Sequence, residues 1–178
     1  MKEALVLTAI GADKPGLVER LSQALASCDA NWEESRMARL GGRFAGILLA
    51  TVDRDRAAEL ERALVALQTH GLRVVIERTE EPAGHTDWRH LRVEVVGQDH
   101  PGIVSEVSHA LAERGINVEE LSTVVESAPM SGQPLFRLTA DIASPPAVDL
   151  DDLRGHLESL AGDLMVDISL RTQDGQSA

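Results

Sequence analysis

Tyrosine is absent from this 178-residue chain, and Phe and Trp occur twice each, so aromatics make up 2% of it. Whatever core it builds must therefore be aliphatic, drawn from Leu, Val, Ile and Ala. There is a single cysteine, Cys28. That excludes an internal disulfide, fits a reducing compartment, and reads as a buried structural thiol at the end of an apolar helix stripe. No apolar run approaches the roughly 20 residues needed to span a bilayer, and the start, Met1-Lys2-Glu3, lacks a signal-peptide layout; a soluble cytoplasmic protein is expected. Positive charge is also scarce, with 17 Lys and Arg against 29 Asp and Glu, a formal charge of −12. Arg36 with Arg39, and Arg54 with Arg56, are interleaved with acids or apolar residues. Without a basic face to displace counterions from phosphates, direct nucleic-acid binding and docking on anionic membrane are not expected.

What the chain does have, it has twice. Gly11-Ala12-Asp13-Lys14-Pro15-Gly16-Leu17-Val18 returns as Gly97-Gln98-Asp99-His100-Pro101-Gly102-Ile103-Val104, 86 residues later. Each copy follows an apolar strand-like run and opens an apolar-periodic helix. Each is trailed by an asparagine 16 residues after its proline, Asn31 and Asn117. A period of 86 is too long for a solenoid unit, so each copy should be a small domain with its own core. Domains of that size are marginal alone, and packing the halves together would relieve the shortfall.

In the first half, residues 4–10 read as a buried strand stopping at Gly11, and Pro15 suits the first helical turn. Leu17, Val18, Leu21, Ala24, Leu25 and Cys28 then make one helix face. Residues 31–40 and 44–52 form a hairpin turned at Gly41-Gly42, residues 54–70 a second helix ended by Gly71, and residues 74–76 lie in a fourth strand. The second half repeats this βαββαβ order. Residues 91–95 alternate, residues 103–111 stripe a helix ended at Gly115, and residues 116–126 and 135–142 make a hairpin with a longer loop. Leu150, Leu153, Leu157 and Leu160 stripe the last helix, and Val166, Ile168 and Leu170 close the sheet. The expected architecture is α+β, with two ferredoxin-like sandwiches, each an antiparallel sheet with helices on one face. The expected boundaries are domain 1 at 1–79, linker at 80–87, domain 2 at 88–172 and a disordered tail at 173–178.

The repeated turn is where chemistry is expected. A helix N-terminus offers unpaired N–H groups and partial positive charge, which together bind carboxylates. Gly16 and Gly102 remove the side chain that would block approach, and Asp13 and Asp99 stand where a side chain can cap the turn. Asn31 and Asn117, with amide donors and an acceptor, could read the ammonium and carboxylate of a small amino acid. The bland alternative is a good helix start followed by a good turn residue.

The βαββαβ order with D-x-P-G at the first strand–helix junction resembles the ACT-domain family of small-molecule sensors, over essentially the whole chain and twice. Within it, the string from Asn31 through Gly46, and Val118 through Thr123 with Ser127 through Gly132, resemble the glycine cleavage repressors. The resemblance implies ligands between paired modules, at the first strand–helix loop of one and the second-strand start of its neighbour. Carried over by position, it implicates Asp13, Gly16, Leu17 and Asn31, and Asp99, Gly102, Ile103 and Asn117. It implies a non-enzymatic regulator of a small amino acid, glycine foremost, that represses transcription through a protein partner such as a DNA-binding activator. No cofactor is implied, and homo-oligomers are expected through exposed edge strands. Trp32 follows Asn31 where Val118 follows Asn117, so the first site is expected to be crowded and the second functional. The rival readings are an allosteric subunit or partner of an amino-acid metabolic enzyme, and a purely structural oligomerisation module.

Other constellations are weaker. His85, Asp87 and His90 could hold a metal, but loop histidines beside one acid are usually solvated. Ser105 and His109 are helical neighbours without an oriented base or oxyanion hole. Gly97 to Gly102 lacks the Lys-Ser/Thr of a nucleotide loop, with Ile103-Val104 in its place. Trp32 and Trp88 read as packing residues.

Overall fold

The computed structural model describes residues 1–79, 87–127 and 133–173. The chain divides into two compact units, Met1–Gly84 and His85–Ala178. The expected linker and tail fall almost wholly outside the described residues, as does most of the longer hairpin loop.

The first unit runs β1 (Lys2–Ala12), α1 (Leu17–Ser27), β2 (Asn31–Leu40), β3 (Arg43–Asp53), α2 (Ala57–Ala66) and β4 (Leu72–Thr79). Its antiparallel sheet has the strand order β2-β3-β1-β4. Strict alternation along β1 sends Leu5, Leu7 and Ala9 to the helices, each at most 1% exposed, while Val6, Thr8 and Ile10 face away. Leu17, Leu21 and Leu25 of α1, with Leu60 and Leu64 of α2, close over that face in one cluster. Burying each such leucine contributes about 1.5–3 kcal/mol. Cys28 is 1% exposed within the same cluster, as expected of a structural thiol.

Both helices of this unit are shorter than expected. The second helix is α-helical only to Ala66 and tightens into a 3-10 turn, Leu67–His70, before Gly71 ends it at φ 83°. Helix α1 begins at Leu17 rather than at Pro15, because Gly16 sits at φ 89° as its N-cap. A left-handed residue there turns the chain sharply into the helix, leaving Pro15 in the preceding turn.

The second unit repeats the plan: β5 (Arg89–Gln98), α3 (Ile103–Ala112), β6 (Asn117–Ser127), β7 (Pro134–Ser144), α4 (Leu150–Leu164) and β8 (Val166–Thr172), with sheet order β6-β7-β5-β8. Leu91, Val93, Val95, Leu138 and Ile142 pack against Ile103, Val107, Leu153 and Leu157. Among the described residues, α4 is the one helix with a side-chain N-cap. Asp149 accepts from the N–H groups of Asp151 at 2.9 Å and Asp152 at 3.4 Å.

Candidate functional site

Each unit presents the repeated turn at one end of its sheet. Gly16 and Gly102 are the N-caps of α1 and α3, at φ 89° and 105°, and neither helix has a side-chain cap. Their carbonyls accept the first helical bonds, from Arg20 N–H at 3.0 Å and Glu106 N–H at 2.9 Å. The N–H groups of the first turn therefore point out of the helix end without a capping side chain. The aspartates do not cap, contrary to expectation. Instead their backbone N–H groups tie the turn to the neighbouring hairpin, Asp13 to the Gly42 carbonyl at 3.1 Å and Asp99 to the Pro134 carbonyl at 3.2 Å. The Asp13 carboxylate receives Arg39 at 3.4 Å. The turn of the first unit opens onto a shallow cavity of about 330 Å³ lined by Asp13, Lys14, Gly16, Leu17, Val18, Glu19 and Phe44.

Leu17 and Ile103 are 6% and 2% exposed. Their side chains belong to the core, and what they offer a ligand is the backbone N–H. The apolar groups at the surface of each turn are instead Val18, 46% exposed, and Val104, 38% exposed. Neither Val18 nor Val104 therefore belongs to the buried helix face on which the apolar spacing placed it.

The asparagines lie at the other end. Gly11 pairs with Phe44 of β3, and Asn31 with Thr51 of the same strand. In the second unit Gly97 pairs with Phe136 and Asn117 with Ala143. Seven residues along a strand separate the two ends, about 23 Å at 3.3 Å per residue. Neither unit brings its own turn and asparagine together, so each carries two half-sites facing opposite ways.

At the asparagine end both units share a feature that sequence reasoning missed. The register of β2 slips between Trp32 and Glu34, and that of β6 between Val118 and Glu120. The extra residue of each bulge is a glutamate, Glu33 or Glu119. A bulge re-aims the side chain it carries. Glu33 accepts from Thr51 Oγ1 at 2.7 Å and from Asn31 Nδ2 at 2.9 Å. Those two bonds, the Thr51 bond foremost, hold its carboxyl below the ordinary glutamate range. In the second unit Ala143 stands where Thr51 does, and Glu119 pairs with His90 Nδ1 at 3.0 Å. Asn31 is thus engaged by its own strand, while the glutamate beside Asn117 is drawn away.

The expected crowding of Asn31 by Trp32 does not occur. Trp32 pairs with the buried Ala50 and packs against the core, its indole N–H donating to Ser35 Oγ at 3.2 Å. Alternation along β2 puts Trp32 and Asn31 on opposite faces of the sheet.

The two turns also differ in where their charges stand, since each helix keeps one acid in its first turn, Glu19 in α1 and Glu106 in α3. In the first, Glu19 stands in the opening turn of α1, its Oε2 3.8 Å from where a Gly16 Cβ would lie. The matching residue of α3 is Ser105, and nothing lies within 4 Å of the corresponding point at Gly102. Lys14 of the first turn is replaced by His100, whose Nε2 meets the Leu164 carbonyl at 2.8 Å and whose Nδ1 meets the Pro101 carbonyl at 3.1 Å. Both ring nitrogens face acceptors, an arrangement only the doubly protonated ring satisfies. The Leu164 bond foremost, then Pro101, raises its pKa above the ordinary 6.5.

Of the remaining constellations, His90 reaches the asparagine end through its pairing with Glu119. His109 pairs with Glu113 at 3.3 Å rather than with Ser105. His85 lies outside the described residues, and among the described residues no three His, Cys, Asp or Glu side chains cluster as metal ligands. No helix among them is long and apolar enough to cross a membrane.

Comparison with known proteins adds a family to this geometry. Two ACT-domain family models match, at residues 3–77 and 91–149. The glycine cleavage system transcriptional repressor of Escherichia coli (strain K12) is 26% identical over 165 residues, covering 90% of this chain and 85% of its own. A crystal structure of an unknown protein from Galdieria sulphuraria superposes with a TM-score of 0.87 at 32% identity, covering 97% of this chain and 99% of that one. Another, described as a candidate glycine cleavage system transcriptional repressor, superposes at 0.74 with 23% identity, over 98% and 99% of the two chains, and shares the fold. Both sandwiches, both D-x-P-G turns and both family matches agree: the chain belongs to the ACT-domain family and carries that domain twice.

Proposed function

We propose that this protein is a non-enzymatic regulator that binds a small amino acid, glycine foremost, and represses glycine cleavage genes through a protein partner such as a DNA-binding activator. The observation that carries the reading is the pair of uncapped helix N-termini behind positive-φ glycines, set about 23 Å along the strand from each asparagine. One half-site offers backbone N–H groups for a carboxylate, and the other an asparagine side-chain oxygen, an acceptor that suits an ammonium group. An amino acid carries both groups within a few ångströms, so it must bridge the turn of one module to the asparagine of another. Ligand binding then alters module pairing, which is how a small molecule shifts the equilibrium between two protein states.

The second turn is the better carboxylate site. Ser105 replaces the Glu19 that stands beside Gly16, and no atom lies within 4 Å of the point where a Gly102 Cβ would sit. The similarity to a named transcriptional repressor supports gene control over service as an enzyme subunit, and the formal charge of −12 suits action through a protein rather than on DNA.

Isothermal titration of the full chain with glycine, alanine and serine tests this. Saturable binding is expected, abolished by Gly102→Ala and weakened at least tenfold by Asn117→Ala. Absence of heat with all three amino acids, or unchanged affinity in both variants, refutes the sensor reading.

A further inference from the structure

The duplication supplies an internal control for the open faces of the two sheets, those turned away from the helices. In the second unit most of this face is polar, with Val96, Val124 and Leu135 as its apolar members. Arg92 makes two bonds to Asp141, at 2.7 and 2.9 Å, Arg171 reaches Glu94 at 3.5 Å, and Arg137 reaches Glu126 at 3.3 Å. Strand register gives the matching positions in the first unit. Arg92 becomes Val6, Asp141 becomes Leu49, Thr139 becomes Ile47, Arg137 becomes Ala45 and Ser169 becomes Val75. Ile47 and Val75 are each 49% exposed and Ile10 37%. One fold has therefore kept a largely polar face in one copy and a more apolar centre, flanked by Arg73 and Glu77, in the other, and contiguous apolar surface of this kind marks an interaction site.

We propose that this face of the first unit is a homodimer interface, covered by the same face of a second copy of the chain. Self-complementarity argues for that occupant. Thr8, Ile47 and Val75 form one row across the sheet. A twofold axis laid along this row turns the row of Val6, Leu49 and Glu77 onto that of Ile10, Ala45 and Arg73 in the second copy. Leucine then meets alanine, and Glu77 meets Arg73 twice. Arg36 near the axis is neutralised within its own strand by Glu34 at 3.0 Å. The size also suffices. Four strands about 4.8 Å apart and some eight residues long cover roughly 500 Å² per copy, or about 1,000 Å² in all, the lower bound for a specific interface. Contact through this face differs from the edge-strand pairing that exposed strands suggest.

Light scattering coupled to gel filtration on the full chain tests the proposal. The wild type is expected at twice the chain mass. Ile47→Glu, at an exposed position, should halve that mass with an unchanged circular dichroism spectrum. Glu77→Arg should raise the dimer dissociation constant at least tenfold, and the double variant Arg73→Glu/Glu77→Arg should restore it. Thr139→Lys on the second sheet should leave the dimer intact. A monomeric wild type, the result expected if a different protein covers the face, overturns the proposal. So does a dimer that survives Ile47→Glu.

Discussion

Replacing Gly102 by alanine separates folding from binding at the second turn, because the structure makes its two consequences unequal. The added Cβ meets no atom within 4 Å, so there is no packing clash. What remains is backbone strain, since φ at Gly102 is 105° and an L-residue there costs about 1–2 kcal/mol. That is a small part of the stability of a domain this size, and the fold should survive. Spread over a domain of under about 100 residues, each kcal/mol lowers the melting temperature by about 4–8 °C. Hydrogen exchange resolves where the loss falls. Amides of Leu91, Val93 and Val95 in β5 should exchange about 5- to 30-fold faster, the range that 1–2 kcal/mol implies. Those of Leu5 and Leu7 in β1 should exchange at the wild-type rate. Glycine binding, by contrast, should be lost outright, because a side chain at this turn narrows a carboxylate's approach to the N–H groups of the helix end. Unchanged exchange in β5 would refute the strain argument. A properly folded variant that still binds glycine at wild-type affinity would refute the claim that this turn holds the carboxylate.

Three further outcomes follow from the geometry. Gly97→Ala should cost about 3 kcal/mol in chemical denaturation, well above Gly102→Ala, because its Cβ would lie 2.5 Å from Val166 Cγ1 and 2.9 Å from Val166 Cα. Gly155→Ala, inside α4 with nothing within 4 Å, should instead raise the stability of the second unit by about 0.5–1 kcal/mol in the same assay. The raised pKa of His100 means its imidazolium stabilises the fold below the ordinary value of 6.5, a contribution lost as pH climbs through the raised value. Thermal melts of wild type and His100→Gln should therefore differ most in mild acid and converge at alkaline pH; a gap independent of pH would show that the ring's charge is irrelevant.

Much of the fold was legible because its signals are local. Alternation in β1 and β5, the leucine stripes of α1 and α4, and Gly71 at a helix end each report a periodicity or a backbone angle within a few residues. The candidate turns were legible for the same reason. Capping was not: Asp13 has the chemistry of an N-cap, but Gly16 at positive φ places the helix start three residues on, and the carboxylate turns to Arg39. Trp32 packs as its type suggested, and what the sequence did not show is the bulge at Glu33, because a bulge depends on pairing with β3.

The sequence by itself determined that there are two homologous α+β units, that their cores are aliphatic, and that each carries a D-x-P-G turn between its first strand and first helix. Hydrophobic period and turn chemistry are properties of neighbouring residues, and duplication doubled the signal. Only the tertiary structure decided that each turn lies about seven strand residues from its asparagine, so that no single unit completes a site. It also decided that Val6, Ile47, Leu49 and Val75 gather on one face while their counterparts Arg92, Thr139, Asp141 and Ser169 keep the other sheet polar. Those groupings depend on which strands pair and in what register, and register is set by long-range contacts that no stretch of sequence contains.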